Sequence, residues 1–203
     1  MNIENLNLAV ITASVRQGRF GPVVTDWFAT QARQHGQFTV DLIDLAEVAL
    51  PLSLPNASPK AEGDAYPRPA EMADLTGRLA AADAFVVVTP EYNHSFPASI
   101  KSLIDWHYTQ WQAKPVGFVS YGGISGGLRA VEQLRLVFAE MHAVTTQASV
   151  SFANYWEQFD ATGQPSRPDL ANEAAKLLLD QLWWWGGALH RARRDTPYAE
   201  ISA

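Results

Sequence analysis

The sequence predicts an α/β protein built on a doubly wound, five-stranded parallel sheet with helices on both faces. Two observations carry this prediction. Short, continuous apolar runs bounded by turn residues are typical of parallel strands buried on both faces, and segments of helical periodicity lie between them. Strand alternates with helix five times, and right-handed crossovers place the helices on both faces of the sheet. The count fits the strand order 2-1-3-4-5.

Five apolar runs are the candidate strands, and the last of them is the weakest. The predicted strands are residues 6–12, 38–43, 84–89, 116–120 and 144–146. Helical spacing of apolar residues occurs within 24–28, 75–82, 100–104, 128–141 and 170–189. On the last segment, one apolar stripe is expected to contain Leu170, Ala174, Leu177, Leu178, Leu182, Trp185 and Leu189. In such a sheet, ligands bind at the carboxyl ends of the strands, so the loops after strands one, three and four are the candidate site.

Composition narrows the function classes. A length of 203 residues fits one domain, residues 1–203. Fifteen Lys and Arg against 21 Asp and Glu give a net charge of −6, which disfavours nucleic acid and suits a cytoplasmic protein. The absence of cysteine excludes disulfide scaffolds, cysteine nucleophiles and thiolate metal sites. The apolar run near the N-terminus is too short for a signal peptide or a membrane span, so no membrane association is expected.

One connection is unusually long. Residues 45–69 contain five of the twelve prolines and show no sustained period. Loops of this length are usually functional or disordered. A surface insertion and a contact with substrate or another subunit are equally good interpretations.

The loop after the first strand has the residues that an anion needs. Ser14 offers a hydroxyl, Arg16 and Arg19 offer charge, and Gly18 and Gly21 allow close approach of the backbone at a helix N-terminus. This pattern favours a phosphate site over an ordinary turn with solvated arginines. It is neither the dinucleotide fingerprint GxGxxG nor a Walker A loop.

The loop after the third strand leads into a helix through Ser95 and Pro97, which are expected near its N-cap and first position. Before them, Glu91, Tyr92 and Asn93 are placed to hydrogen-bond a planar heterocycle through their backbone. A capped helix start whose polar residues face water is the equally good alternative. We expect His94 to be a gate or surface residue.

The loop after the fourth strand has four glycines in six positions, residues 122–127, which let the backbone lie against a ligand. It also contains the pattern G-x-S-x-G around Ser125, which is typical of a hydrolase nucleophile. Either Asp160 or Asp169, followed by His190, would complete the Ser, Asp, His order of a catalytic triad. A serine hydrolase is the less favoured alternative, because His190 fits a basic helix C-terminus and the first loop is left unexplained.

Together the three loops resemble the NADPH-dependent FMN reductase family of flavodoxin-like proteins, over about residues 6–150. Residues 90–106, PEYNHSFPASIKSLIDW, are similar to the family's P-E-Y-N-x-S-x-P-x-x-L-K-N-x-x-D-W signature, and Ser14, Arg16 and Gly18 match its G-S-x-R-x-G-S loop. Ala13 replaces the usual Gly, and Arg19 stands where Ser is common. The resemblance implies the following FMN-binding residues: Ser14, Arg16 and the backbone of Arg19, Phe20 and Gly21 for the phosphate; Pro90, Glu91, Tyr92 and Asn93 for the ring and ribityl chain; Ser120, Gly122 and Gly123 on the other side.

The resemblance also implies an FMN-dependent oxidoreductase that passes a hydride from NADPH or NADH, through bound FMN, to an acceptor in a ping-pong cycle. Quinones, azo compounds, metal oxyanions and free flavin are the family's acceptors; no protein group is obligatory for the chemistry and no metal is implied. Arg16 or Arg19 is a candidate partner for the 2′-phosphate of NADPH. A flavodoxin-type electron carrier is the alternative. A homodimer or homotetramer is expected, with Trp106, Tyr108 and Trp111 either at the interface or packed within the monomer.

Overall fold

A computed structural model describes residues 5–198, and within that range a six-stranded, wholly parallel sheet lies between two layers of helices. The strands are β1 (Leu6–Thr12), β2 (Phe38–Asp44), β3 (Ala84–Pro90), β4 (Pro115–Gly122), β5 (Val144–Thr145) and β6 (Val150–Ala153). The helices are α1 (Gly21–His35), α2 (Pro59–Glu62), α3 (Ala73–Ala81), α4 (Ala98–Trp106), α5 (Leu128–Glu140) and α6 (Pro168–Asp195). The predicted fold class and the order β2-β1-β3-β4-β5 are confirmed.

The fifth position of the sheet differs from the prediction, because two short strands occupy it in turn. β5 pairs with the beginning of β4 and β6 pairs with its end. Between them the Thr146 hydroxyl donates to the Ala148 carbonyl (3.0 Å), and the Ala148 N–H donates to Gln181 on α6 (2.9 Å). The Thr146 N–H still donates to the Val116 carbonyl of β4 (3.0 Å), and the chain leaves β4 only after this residue. The loop after β6 reaches the same edge as the loops after β1, β3 and β4.

Helix α6 buries a face that overlaps the predicted stripe at Leu178 and Leu182 but is rotated away from its other members. Leu170, Leu177 and Trp185 are 54%, 53% and 37% exposed. The residues that α6 buries are Ala171, Ala175, Leu178, Leu179, Leu182, Gly186 and Gly187. A Cβ on Gly186 would lie 2.8 Å from Leu6 Cδ1, so the helix sits too close to the sheet for larger side chains. Although α6 has 28 residues, neither it nor another helix within residues 5–198 is long and apolar enough to cross a bilayer.

Three aromatic residues suggested for a subunit interface are packed inside the monomer instead. Trp106, Tyr108 and Trp111 are 3%, 8% and 0% exposed. Trp111 lies between Phe85 and Phe138 in the core on the α3, α4 and α5 side of the sheet. Of the two interpretations of these rings, interface or packing within the monomer, the structure shows the second.

The long connection is an ordered segment fastened to α4. Its Pro51 carbonyl accepts hydrogen bonds from the Ser102 hydroxyl (3.2 Å) and the Trp106 indole N–H (2.8 Å). Leu52 on the same segment is 81% exposed. The two interpretations of this segment, surface insertion or contact surface, both remain compatible with this arrangement.

His107, which follows α4, makes stability depend on pH. Its imidazole is fully buried, and burial lowers its pKa from 6.5 to about 4. Below about pH 6.5 the histidine of the unfolded chain takes up a proton, and the buried histidine of the folded protein does not. The stability that buried, neutral His107 allows is therefore present above pH 6.5 and is lost as the pH falls toward 4. Between pH 7 and pH 5 we expect the free energy of unfolding of the wild type to fall about 2 kcal/mol more than that of His107→Gln, measured by urea denaturation.

The control for this prediction is His94→Asn, which removes an exposed histidine. That variant is expected to keep the pH dependence of the wild type. Equal pH dependence of the wild type and His107→Gln would contradict the assignment.

Candidate functional site

Four loops meet at the carboxyl edge of the sheet and are bonded to one another. The Ser99 hydroxyl at the start of α4 donates to the Ala13 carbonyl after β1. The Glu91 N–H after β3 donates to the Tyr121 carbonyl of β4 (3.1 Å), and the Asn154 N–H after β6 donates to the Gly123 carbonyl (2.9 Å). The loops therefore form one connected rim.

A groove of about 330 Å³ opens within this rim. Eight of the twelve predicted site residues line it: Arg16, Arg19, Phe20, Pro90, Glu91, Tyr92, Gly122 and Gly123. Gln17, Gly18, Tyr121 and Tyr155 line it as well. A larger groove, about 690 Å³, lies between α1 and α6, but helix residues rather than loops at the carboxyl edge form it. We therefore assign the site to the smaller groove, where ligands of such sheets bind.

Residues 16–20 of the β1–α1 loop line one end of the groove, and Ser14 and Gly21 adjoin that lining without forming part of it. Ser14 is fully buried, and its hydroxyl has no well-formed hydrogen bond. Helix α1 begins at Gly21 with no side-chain cap and no acidic residue in its first turn. A Cβ on Gly21 would lie only 2.3 Å from Ser14 Oγ, so glycine is needed for the helix to begin directly above this hydroxyl. An unpartnered buried hydroxyl beneath an uncapped helix N-terminus is suited to an anion.

The two arginines of this loop have different roles. Arg19 forms a bidentate pair with Asp44 at the end of β2 (2.6 and 2.5 Å) and donates to the Ser14 carbonyl (2.6 Å). Its hydrogen bond with Asp44 raises the pKa of the Arg19 guanidinium, so the charge is held in a structural pair. Arg16 is exposed and forms no ion pair with any residue from 5 to 198. Arg16 is therefore the arginine of this loop whose charge is available to a ligand.

The loop after β3 is a tight turn rather than the predicted helix cap. Tyr92 and Ser95 exchange backbone hydrogen bonds of 2.8 and 3.0 Å around Asn93 and His94, whose φ angles are 50° and 68°. Positive φ at both central residues is typical of a type I′ turn, where Asn is favoured. The Ser95 hydroxyl donates to Gln133 (2.6 Å) and does not cap α4. Asn93 consequently lies in the turn and outside the groove lining.

Glu91 fastens the glycine-rich loop. Its carboxylate accepts from the backbone N–H of Arg129 (3.2 Å) and from its guanidinium (2.9 Å), while the Ser125 hydroxyl donates to the same carboxylate. Burial alone would raise the pKa of Glu91, but these hydrogen bonds outweigh burial and lower it. Glu91 is therefore an ionised carboxylate whose hydrogen bonds join the loop after β3 to the N-terminus of α5.

Ser120 supports this loop from below and does not line the groove. It is fully buried, and its hydroxyl donates to the Gly126 carbonyl (2.8 Å). Ser151 on β6 donates to the same carbonyl (2.9 Å). The loop above is thus held in one conformation, with Gly122 and Gly123 facing the groove.

The hydrolase interpretation was wrong. Ser125 donates to Glu91. His190 instead bonds Asp83 (2.7 Å), the residue immediately before β3, at the opposite end of the sheet from Ser125. Asp160 accepts three hydrogen bonds within its own turn. His190, the general base that a hydrolase triad would require, therefore does not reach Ser125.

Aromatic side chains form one wall of the groove, and two of them were missed from the sequence. The ring of Phe20 lies 4.8 Å from that of Tyr155 and 6.3 Å from that of Tyr121, centroid to centroid. Tyr121 follows Ser120 in β4, and Tyr155 follows β6. The alternation of the run Val150-Ser151-Phe152-Ala153 was the signal for β6 and hence for a loop at this edge.

The fold and the groove define a flavodoxin-like α/β protein with the β1–α1 loop at one end of the site and a glycine-rich loop at the other. Residues 6–157 match the family described as NADPH-dependent FMN reductase. The chain belongs to this family of oxidoreductase enzymes, as its resemblance indicated.

Individual relatives agree with this family. The chain is 33% identical over 146 residues to an NAD(P)H-dependent FMN reductase of Schizosaccharomyces pombe, covering 71% of this chain and 72% of that protein. It is 30% identical over 149 residues to an NADPH:quinone oxidoreductase of Arabidopsis thaliana, covering 70% of each. The structure of FerB, a flavoenzyme NAD(P)H:(acceptor) oxidoreductase of Paracoccus denitrificans, superposes with a TM-score of 0.67 over 89% of this chain and 97% of that chain, at 21% identity.

Proposed function

We propose that this protein is an FMN-dependent NAD(P)H oxidoreductase that reduces a quinone-type acceptor. The observation that carries the proposal is the unpartnered Ser14 hydroxyl beneath the uncapped N-terminus of α1, at one end of the groove. The FMN phosphate fits this position, because it accepts hydrogen bonds and carries negative charge. Ser14, the α1 N-terminus and the Arg16 guanidinium would hold it, and the Arg19–Asp44 pair would fix the shape of the loop.

The other end of the groove fits the ring of the same molecule. Pro90, Tyr92, Gly122 and Gly123 line it, and a Cβ on Gly123 would meet no atom within 4 Å. The backbone there leaves room for a planar ring with one open face. Bound FMN would supply the redox chemistry, taking a hydride from NAD(P)H and passing electrons to the acceptor. The chain's own residues orient the ring and keep its outer face accessible to both substrates in turn.

The charges in the groove favour an uncharged acceptor over a metal oxyanion. Arg19 is paired with Asp44, and Arg16 would be engaged by the phosphate. Arg129, beside the groove, is paired with Glu91. With FMN bound, no arginine that we identify at the groove is free to attract an anion. Quinones suit this environment, in agreement with the names of the quinone oxidoreductases among the relatives.

The proposal is tested by titrating purified protein with FMN and then measuring steady oxidation of NADPH and NADH with a quinone, with chromate and with no acceptor. We expect saturable FMN binding and rapid NAD(P)H oxidation with the quinone. A protein that does not bind FMN would contradict the proposal. FMN binding without NAD(P)H oxidation would favour the electron carrier instead.

Replacing Arg16 tests the phosphate assignment. Arg16→Ala is expected to weaken FMN binding by about 2 kcal/mol, roughly 30-fold, because it removes a charged hydrogen-bond donor. The measurement is a titration followed by flavin fluorescence. Arg33→Ala, which removes an exposed arginine at the other end of α1, is the matched control and should bind FMN like the wild type. Equal affinity of Arg16→Ala and the control would refute the assignment.

We also propose a homodimer or homotetramer located in the cytoplasm. The exposed apolar side chains Leu52 and Leu54 on the long connection support self-association, since both line a separate surface cavity beside α4. Light scattering coupled to size-exclusion chromatography would show a mass of two or four chains. A monomer at micromolar concentration would contradict the oligomer.

A further inference from the structure

Tyr121 belongs to β4, but its side-chain hydroxyl lies beside the N-terminus of α1, where the phosphate is proposed to bind. The residue is 3% exposed yet lines the groove. Its side chain extends to the first residue of α1: a Cβ on Gly21 would lie 3.0 Å from the Tyr121 hydroxyl and 2.3 Å from Ser14 Oγ. Two hydroxyls, one from β4 and one from the β1–α1 loop, therefore converge beneath the N-terminus of α1.

The Ser14 hydroxyl needs both an acceptor and a donor. A hydroxyl has one proton to donate and two lone pairs that accept. In the ligand-free protein Ser14 Oγ has no well-formed partner, although it is fully buried. A phosphate would accept its proton but cannot satisfy its lone pairs. Those lone pairs need a donor from within the protein, and the Tyr121 hydroxyl is the nearby group that can supply one, since both oxygens lie within 3.0 Å of the Cβ position of Gly21.

Tyr121 is suited to that donor role. Burial raises the pKa of its phenol, while the contact with the Ser14 hydroxyl lowers it by a smaller amount. The phenol is therefore protonated at neutral pH and able to donate. Phe20 and Tyr155 pack against the ring, with centroids at 6.3 and 5.4 Å, and limit its movement.

We propose that Tyr121 is a positioning residue for the cofactor phosphate: its hydroxyl donates to Ser14 Oγ and thereby turns the Ser14 proton toward the phosphate. This inference rests on the proposed function. It adds a residue that acts on the phosphate through Ser14. Its effect is confined to ligands that carry the phosphate, which separates it from a general contribution of Tyr121 to folding.

The experiment compares FMN with riboflavin, which has the same ring and ribityl chain without the phosphate. Tyr121→Phe removes only the hydroxyl and is expected to weaken FMN binding about fivefold, the effect of losing one neutral hydrogen bond, with riboflavin affinity unchanged. The control is Tyr66→Phe, which removes a buried phenol hydroxyl that has no hydrogen-bond partner and lies on the opposite face of the sheet. That control should bind both ligands like the wild type.

A double-mutant cycle with Ser14→Ala tests the relay itself. If Tyr121 acts through Ser14, Tyr121→Phe should change FMN affinity less than about twofold in the Ser14→Ala background. Full additivity, an unchanged FMN affinity of Tyr121→Phe, or equal losses for FMN and riboflavin would each overturn the inference. A wild-type protein that fails to bind FMN would overturn the proposed function together with it, and that result is distinguishable from the other three.

Discussion

Gly21→Ala is expected to weaken FMN binding at least about 100-fold, which corresponds to roughly 3 kcal/mol. The added Cβ would lie 2.3 Å from Ser14 Oγ and 3.0 Å from both Thr12 Cγ2 and the Tyr121 hydroxyl. The Ser14 hydroxyl must then rotate away or the first turn of α1 must shift. Either change separates the hydroxyl from the helix N–H groups that would share the phosphate. Flavin fluorescence titration measures the loss.

The control is Gly77→Ala in the interior of α3, where an added Cβ meets no atom within 4 Å. It should leave FMN affinity unchanged and stabilise the fold by up to about 1 kcal/mol, because alanine is the better helix former. If Gly21→Ala bound FMN as tightly as Gly77→Ala, the phosphate could not lie at the N-terminus of α1.

Gly127→Ala is expected to destabilise the protein by about 3 kcal/mol. Gly127 has a φ of 86°, and an added Cβ would lie 2.7 Å from Ser120 Cβ and 3.0 Å from the Tyr121 backbone nitrogen. Overpacking of this kind costs about 1 to 3 kcal/mol, and a left-handed conformation costs a non-glycine residue about 1 kcal/mol more. The expected fall in melting temperature is roughly 6 to 12 °C for a chain of this size.

Gly18→Ala separates the two causes of the expected destabilisation, which are overpacking and the left-handed backbone conformation. Gly18 also has a positive φ, 65°, but an added Cβ there meets no atom within 4 Å. Its loss of stability should be about 1 kcal/mol, the conformational cost alone. Equal losses for Gly18→Ala and Gly127→Ala would show that Ser120 does not constrain the glycine-rich loop.

The sheet could be predicted well because its central strands are buried on both faces. Continuous apolar runs such as those of β1, β3 and β4 are compatible with few structures other than buried parallel strands. The bounds of the predicted strands differ from those in the structure by at most two residues. The alternation of residues 150–153 was a signal for β6, but the interruption before it could not be predicted, since Gln181, which bonds the backbone between β5 and β6, lies far along the chain. The buried face of α6 was mispredicted for a related reason: the close approach of this helix to the sheet favours Gly186 over the larger residues of the expected stripe.

The candidate site was predictable as a set of loops but not as a set of side-chain roles. Eight of the predicted residues meet in one groove because the carboxyl ends of parallel strands share an edge. The sequence could not show that Arg19 is paired with Asp44, since the two residues are distant in the chain. It could not show that Ser120 and Glu91 brace the glycine-rich loop either, because each of these partners is set by the packing of α5 and β6.

The central claim, that one FMN lies across these loops, is tested most directly by a crystal structure of the protein grown with FMN. We expect the phosphate within hydrogen-bonding distance of Ser14 and the first turn of α1, and the ring between Tyr92 and Gly122. FMN bound elsewhere, for example in the larger groove between α1 and α6, would contradict the claim.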